Sequence, residues 1–464
     1  MHKNQEVELF IHDLHSNGFG VGKQKQIDGD NNQQVVFVDG SLPGDHITAK
    51  IIKVKKHYAY GKMMELITSS PHRLSGRDPR ICPVMTRCGG CQFQHLEYSA
   101  QLKFKEKLVK DALIRIGKCE DPPLSPILGM DTPYHYRNKA QFPVQTGNVV
   151  GLYSPRSHRL VPVTNCNIQH PICEEILNTV KQILNMHPIP IYEEETHKGL
   201  LRHVMIRVGF NTGDVMIVPV INGDFLPHKE VWIENLKAIY PKMTLVVNKN
   251  TAKTNVVLGP EFSTIYGSGH IYEEIGHVRY RISPRAFFQV NPAQTLVLYD
   301  TVLAHLTTNE RVIDAYSGIG GIALYIASKV KKVVGIESVP EAVEDGVYNT
   351  VFNDVTNVGF LCGKAEELVP ELLNQKSKNL NHNPNYDVII LDPPRKGCDV
   401  KLLESIVMGD IPKIIYVSCD PATMARDVNF LTERGYKLRH VQPVDMFPMT
   451  GHVESVVLLC RGDT

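Results

Sequence analysis

No stretch of this 464-residue chain comes near the ~20 consecutive apolar residues that a membrane-spanning helix needs. Integral membrane proteins are thereby set aside. The opening residues, MHKNQEVELF, are polar, so no secretory leader is expected there. Internal repeats and low-complexity runs are absent, which sets aside a repeat array. Net charge is almost absent too, at +1. The ten cysteines lack the setting of a small secreted domain. They read as reduced thiols, and the expected compartment is the cytoplasm. What remains is ordinary for a globular protein: 21% charged residues, 42% hydrophobic ones, and length for about three domains. The charge is nonetheless uneven. Residues 51–120 hold 14 Lys and Arg against 6 Asp and Glu, a local +8 that suits a polyanionic partner.

Residues 6–66 alternate as strands do, in EVELFIHDL, QVVFVDG and HITAKIIKVKKHYAYGKMMEL, with turns at NGFG, DGDNN and LPGD. Short strands with a basic third segment suggest a small β-barrel of a kind that binds RNA. Lys53, Lys55 and Lys56 stand near Tyr58 and Tyr60, which places cations for phosphates beside rings for stacking. A cationic amphipathic helix is expected over 101–117, with Leu102, Leu108, Leu113 and Ile116 inward. The segment 131–285 mixes strands (HVMIRVGF, VMIVPVI, TLVVNKN) with a helix at ICEEILNTVKQIL. The polar run 374–385 reads as a surface loop.

Between barrel and helix lies ICPVMTRCGGCQFQHLEY. Cys82, Cys88 and Cys91 fall within ten residues, a density that packing does not explain. The Gly89-Gly90 pair lets Cys88 and Cys91 turn toward one centre. A fourth thiol is required, from Cys119, Cys166 or Cys173, and four thiolates suit zinc or an iron–sulfur cluster. The spacing is not CxxxCxxC, which disfavours a radical enzyme.

From 311 the pattern becomes strand–helix alternation, and a doubly wound parallel sheet is expected. Gly318, Gly320 and Gly321 follow the strand RVIDAYS in a D-x-x-x-G-x-G arrangement. Glu337 ends the next strand, 23 positions after Asp314, a spacing that suits a carboxylate on ribose hydroxyls. Asp392-Pro393-Pro394 ends the next strand but one. An adenosine-type cofactor is indicated, and the looser glycine pattern disfavours NAD. In IIYVSCDPATMARDVNFL, the strand Ile414–Val417 leads through Ser418 and Cys419 into a helix. One thiol thus stands at the carboxyl rim, where α/β sheets collect ligands.

LDPPRKG (391–397), VSCDPATMARD (417–427), DMFPMTGHVESVVLL (445–459), SPRAFFQVNPAQ (283–294) and YRNKAQF (136–142) together resemble the RNA (uracil-C5)-methyltransferase family over almost the whole chain, in its bacterial 23S rRNA branch. The resemblance implies a mixed α/β protein of three parts. These are a TRAM- or OB-like RNA-binding barrel at 1–66, an iron–sulfur-binding and central α+β domain at 67–285, and a Rossmann-like class I methyltransferase domain at 286–464. It further implies S-adenosylmethionine as cofactor, with contacts at Gln289, Tyr316, Glu337 and Asp392. A [4Fe–4S] cluster falls on Cys82, Cys88, Cys91 and Cys166, the nucleophile on Cys419 and the general base on Glu454. Ser317 and Gly321 stand where relatives often carry Cys and Asn, so no contact is carried to Gly321. The expected partner is RNA, 23S rRNA first, with the protein acting as a monomer.

These residue types answer a chemical need. Uracil C5 is a poor nucleophile toward a sulfonium methyl group. A thiolate adding to C6 makes C5 enolate-like, and a carboxylate must later remove the C5 proton so that the thiol can leave. No Lys or Arg adjoins Cys419 in sequence, so its activation is not legible there. Three alternatives stand beside this reading: a tRNA uridine as target, a metal-dependent RNA-binding protein without turnover, and cytosine-C5 methylation. The last is disfavoured because the cysteine follows serine.

Overall fold

The structure is a computed structural model that describes residues 1–24, 34–76, 78–374 and 386–462. The expected DGDNN turn and nearly all of the 374–385 loop lie outside the described residues. The chain divides into two compact units. One comprises Met1–Lys105, Leu152–Val161 and Phe447–His452, and the other comprises Glu106–Gly151, Pro162–Met446 and Val453–Thr464.

In the first unit, β1 (Glu6–Leu14), β2 (Phe19–Gln24), β3 (Val35–Asp39), β4 (His46–Val54) and β5 (Tyr58–Thr68) close into a barrel of order β1-β2-β3-β5-β4. The two-residue alternation sends Val7, Leu9, Ile11, Val36, Val38, Ile47, Ile51 and Ala59 into its core. The same alternation turns Phe37, Tyr58 and Tyr60 outward as a half-buried ring cluster, with centroids 5.6–5.8 Å apart. Lys53, Lys55 and Lys56 are exposed.

Helix α1 (Tyr98–Arg115) forms where expected, but its buried stripe differs. Gln101, Lys105, Val109 and Leu113, spaced by four, are buried, whereas Ile116 lies past the helix end and is 42% exposed. Lys105 belongs to the buried stripe because its apolar stem packs while its ammonium donates to the Phe447 carbonyl at 2.9 Å.

A seven-stranded sheet follows, of order β12-β11-β10-β9-β6-β7-β8. Its strands are β6 (Lys139–Gln145), β7 (Val149–Tyr153), β8 (Leu160–Pro162), β9 (Leu201–Val208), β10 (Val215–Ile221), β11 (Met243–Lys249) and β12 (Glu261–Tyr266), with helices α2 (Ile172–Met186) and α3 (Lys229–Ile239). A hairpin, β13 (Ile271–Ile275) and β14 (Val278–Ile282), leads to α4 (Pro292–Ala304).

The C-terminal sheet contains β15 (Arg311–Asp314), β16 (Lys332–Glu337), β17 (Val358–Cys362), β18 (Val388–Leu391), β19 (Lys413–Ser418), β20 (Tyr436–Val444) and β21 (Glu454–Arg461). Its helices are α5 (Gly321–Ile326), α6 (Pro340–Phe352), α7 (Ala365–Asn374), α8 (Val400–Met408) and α9 (Pro421–Thr432). The strand order is β17-β16-β15-β18-β19-β21-β20, and β15 to β19 pair in parallel. The doubly wound parallel sheet expected from the sequence forms over β15 to β19, with one antiparallel strand beyond it. Strand β21 inserts antiparallel between β19 and β20, because the β20–β21 connection contains no crossover helix to reverse the chain again.

Candidate active site

Parallel register gathers the functional strand ends at one rim. Asp314 pairs with Gly335 and Ile390, and Leu391 pairs with Tyr416. The residues at or just past the ends of β15, β16, β18 and β19 are therefore Asp314, Glu337, Asp392 and Cys419, all on the carboxyl edge. The antiparallel β21 begins where those strands finish. Ser418 pairs with Ser455, so one further step along both strands brings Cys419 beside Glu454. Asp420 fixes the turn: its side chain accepts from the Ala422 and Thr423 amides at 3.0 and 3.1 Å, and Pro421 starts α9.

Near this pair lies a cavity whose walls include Phe287, Phe288, Gln289, Tyr299, Asp314, Tyr316, Gly318, Gly321 and Asp392. Two of its glycines are required for different reasons. Gly318 has φ +55 with open space on its Cβ side, so conformation demands it. A Cβ on Gly321 would fall 2.4 Å from the Tyr299 hydroxyl, so crowding demands it. Of the four residues expected at the cofactor, Gln289, Tyr316 and Asp392 line the cavity. Glu337 is not among the lining residues. It reaches the cavity through Gly318, whose amide it accepts at 3.1 Å, while its other oxygen accepts the Val339 amide at 2.7 Å.

Asp314, used above only as a spacing landmark, is the wall residue that sequence reading passed over. It is 1% exposed, and neither carboxylate oxygen has a hydrogen-bond partner. The Ala323 and Tyr316 amides act on it without completing such a bond. Burial first, then the neighbouring Asp392, pushes its carboxyl up to about 7. Burial alone takes Asp392 to about 7. Two recessed carboxyls on one apolar, glycine-floored cavity fit a cationic ligand bearing a ribose, which agrees with the donor set that S-adenosylmethionine needs.

At the Cys419–Glu454 pair, burial raises Glu454 well above the usual carboxylate range, with Asp392 adding and Arg395 opposing. Burial likewise pushes the Cys419 thiol up to about 11, aided by Glu454 and Asp392, and Arg395 pulls it back. Arg395 was hidden because it lies on the loop after β18, remote in sequence from Cys419. Helix α9 clamps that loop. Thr423 Oγ1 donates to the Arg395 carbonyl at 3.1 Å, and Arg426 Nη2 donates to the Lys396 carbonyl at 3.1 Å. Asp427 accepts from the Cys398 amide at 2.9 Å and from the Tyr416 hydroxyl at 2.7 Å. A Cβ on Gly397, at φ +78, would meet Arg426 and Asp427 at 2.5 and 2.7 Å.

In the cysteine segment, Cys82 is buried and Cys88 and Cys91 are half-buried, with no disulfide. The Gly90 amide and Gln94 Nε2 point at the sulfurs of Cys88 and Cys91, at 3.4 and 3.2 Å. Such donors suit thiolate ligands. Cys82, Cys88 and Cys91 belong to the first unit and Cys166 to the second. Among the described residues, however, no group of three or more His, Cys, Asp or Glu side chains is disposed to hold a metal ion. Nor, among the described residues, is any helix long and apolar enough to cross a membrane.

Comparison with known proteins agrees with this geometry. The family model described as tRNA (Uracil-5-)-methyltransferase matches residues 97–462, and the TRAM domain model matches residues 2–64. An uncharacterized RNA methyltransferase of Halalkalibacterium halodurans is 44% identical, covering 99% of this chain and 98% of that protein. Another from Clostridium tetani is 43% identical, covering 98% and 96%. Among solved structures, the tRNA (uracil-54, C5)-methyltransferase of Pyrococcus abyssi in complex with S-adenosyl-L-homocysteine superposes with a TM-score of 0.77. It is 26% identical and covers 98% of this chain and all of that one.

Proposed function

The chain belongs to the tRNA (uracil-5-)-methyltransferase family, and on that premise we propose that it methylates C5 of a uridine in 23S rRNA through a covalent adduct between Cys419 and uracil C6. It is an S-adenosylmethionine-dependent RNA (uracil-C5)-methyltransferase with a class I methyltransferase fold and an N-terminal TRAM barrel. The observation that carries the mechanism is the meeting of β19 and β21, which sets Cys419 beside Glu454, both within the electrostatic reach of Asp392 in the cavity wall.

In this reading S-adenosylmethionine supplies an electrophilic methyl group. Gln289, Tyr316, Asp392 and Asp314 hold it in the cavity, with Glu337 acting through Gly318. Cys419, as thiolate, attacks C6 of the uracil. Its resting thiol is neutral, so it first gives its proton to solvent, and Arg395 favours the anion that results. Carbon C5 then takes the methyl group. Glu454, as its carboxylate, removes the C5 proton, and its raised affinity for protons makes that carboxylate the stronger base. The electron pair of the broken C5–H bond re-forms the C5=C6 double bond and expels Cys419. A target in a stacked helix would have to be flipped out or lie in an open loop.

The division of labour is part of the proposal: 1–66 engages RNA, 67–285 carries the cysteine segment, and 286–464 performs the chemistry. Cys82, Cys88, Cys91 and Cys166 would hold a [4Fe–4S] cluster with a structural or RNA-positioning role, and no step above passes through it. The choice of 23S rRNA rests on the resemblance of this chain's motifs to the bacterial 23S rRNA branch of the family. A tRNA uridine is the second reading, favoured by the likeness to the Pyrococcus abyssi enzyme. Labelled cofactor offered to ribosome-free 23S rRNA and to tRNA in separate reactions, with the modified base mapped, decides between them. Label at uridine C5 in 23S rRNA alone is expected. Label in tRNA alone selects the second reading, and label in neither refutes both.

A further inference from the structure

The motif YRNKAQF has so far no role beyond resemblance. Its residues alternate along the chain: Tyr136, Asn138 and Ala140 are buried, while Arg137, Lys139 and Gln141 occupy the other face, half-buried. The buried Asn138 holds the wall of the cofactor cavity, donating its Nδ2 to the Gln289 carbonyl at 3.0 Å and its amide to the Val290 carbonyl at 2.8 Å. The opposite face is the unusual one. Lys139 on β6 stands directly across from Arg207 on β9. Like charges in that relation repel, so a sheet gains nothing by it.

Arg207 is 2% exposed. Its Nη2 donates to the Ala286 carbonyl at 2.8 Å and its Nη1 to the Ser283 carbonyl at 3.5 Å, while its buried Nε finds no acceptor. Arg137 donates its Nε to the Lys139 carbonyl at 3.2 Å and adds a third cation. The charges acting on Lys139 are those of Arg207 and Arg137, with no carboxylate among them. The carboxylate nearest in effect to Arg207 is Asp345, and it is occupied by Arg281 and Ser283. Burial, with the two guanidiniums, takes the lysine down to about 7. Three basic side chains and one unmet buried N–H on a single face make a site that lacks an anion.

We propose that Arg137, Lys139 and Arg207 form a receptor for one backbone phosphate of the substrate RNA, next to the nucleotide whose base enters the active site. The identity of the anion rests on the RNA-methylating reading above. Guanidinium forks with an ammonium match a tetrahedral oxyanion, and a phosphate contact fixes register without reading sequence. The place is apt: Arg207 holds the carbonyls of Ser283 and Ala286, in the segment that runs on into Phe287, Phe288 and Gln289 of the cavity wall. A phosphate held there would be tied to the wall that faces the target base.

The test is Lys139→Met, close to isosteric, with Lys139→Arg as the conservative control. In the full-length protein without RNA, Lys139→Met should raise the melting temperature, because a buried like-charge opposition is gone. RNA affinity should fall roughly tenfold near 0.1 M salt, and the slope of log K against log salt should lose about one unit. Affinity for S-adenosylhomocysteine should stay unchanged, and Lys139→Arg should restore RNA binding. A lowered melting temperature with unchanged RNA affinity and salt slope would overturn the receptor and leave Lys139 a packing residue. Wild-type methylation measured alongside separates the two failures. Normal wild-type turnover with an indifferent Lys139→Met variant sinks only the phosphate site. A wild type that neither binds nor methylates RNA sinks the site and the enzymatic reading together.

Discussion

Asp314→Asn should make the unliganded protein more stable at pH 8 and a poorer binder of its cofactor. The folded carboxyl stands at about 7, against about 3.9 in an unfolded chain. Because the folded value is the higher, the stability attached to the protonated form is complete below about pH 4 and is lost as pH rises through 7. Three units correspond to about 4 kcal/mol at 1.36 kcal/mol each, an upper bound because Asp392 titrates in the same cavity. An uncharged isostere escapes that loss. The variant should therefore melt roughly 5–10 °C above wild type at pH 8 and almost level with it at pH 4. With S-adenosylhomocysteine present the order should reverse. The ligand's ammonium loses a charge-assisted partner worth about 1.5–3 kcal/mol, or roughly 10- to 150-fold in affinity. Melting curves across pH, with and without that ligand, measure both effects. A variant that melts below wild type at pH 8, or binds the ligand equally well, would refute the idea of an ionisable cation seat and make Asp314 a structural residue.

Much of the site was legible because glycine, proline and aspartate punctuate an α/β chain wherever a strand meets its ligand rim. The turn at Gly318–Gly321, the Asp392-Pro393-Pro394 turn and the Ser418-Cys419-Asp420-Pro421 step each mark a strand end locally. What joins them is not local. The meeting of Cys419 and Glu454 depends on β21 entering between β19 and β20, a strand order set by burial of Val456, Val457 and Leu459 and by no neighbour in sequence. The charge that favours the thiolate was sought beside Cys419 and stands instead on the loop that α9 clamps through Thr423, Arg426 and Asp427. Asp314 showed the same limit, since a D-x-x-x-G-x-G pattern gives its position and not that both its oxygens go unpaired. The inward face of α1 failed for a simpler reason. Leucines were taken to mark it, whereas a buried Gln101 and Lys105 occupy it through their hydrogen bonds to the backbone.

Cys419→Ala should abolish methyl transfer and leave calorimetric affinity for S-adenosylhomocysteine nearly intact, since the cavity walls do not include the thiol; appreciable turnover would remove Cys419 from the mechanism. Arg395→Gln should move the pH inflection of Cys419 alkylation upward and Arg395→Lys should restore it, because Arg395 is the charge that lowers this thiol; an unmoved inflection would deny it that role. Anaerobically purified protein should contain iron and sulfide, which Cys166→Ser loses and Cys173→Ser keeps; zinc without iron, or loss from both variants, would refute the four-thiolate assignment. Glu454→Gln separates the two halves of the reaction. If Glu454 acts only on the C5 proton, Cys419 can still add to C6 and the methyl group can still move, but elimination stalls. The variant should then accumulate an RNA–protein adduct that carries labelled methyl and survives denaturing electrophoresis. A 5-fluorouridine substrate should trap the same adduct on the wild type, because fluorine cannot leave as a cation. Burial raises the proton affinity of Glu454, so removing its ionisable group should also stabilise the unliganded protein as pH rises, by the same linkage as at Asp314. A lowered melting temperature without adduct would make Glu454 structural. A folded, stable variant without adduct would place Glu454 before methyl transfer, as the acceptor of the Cys419 proton.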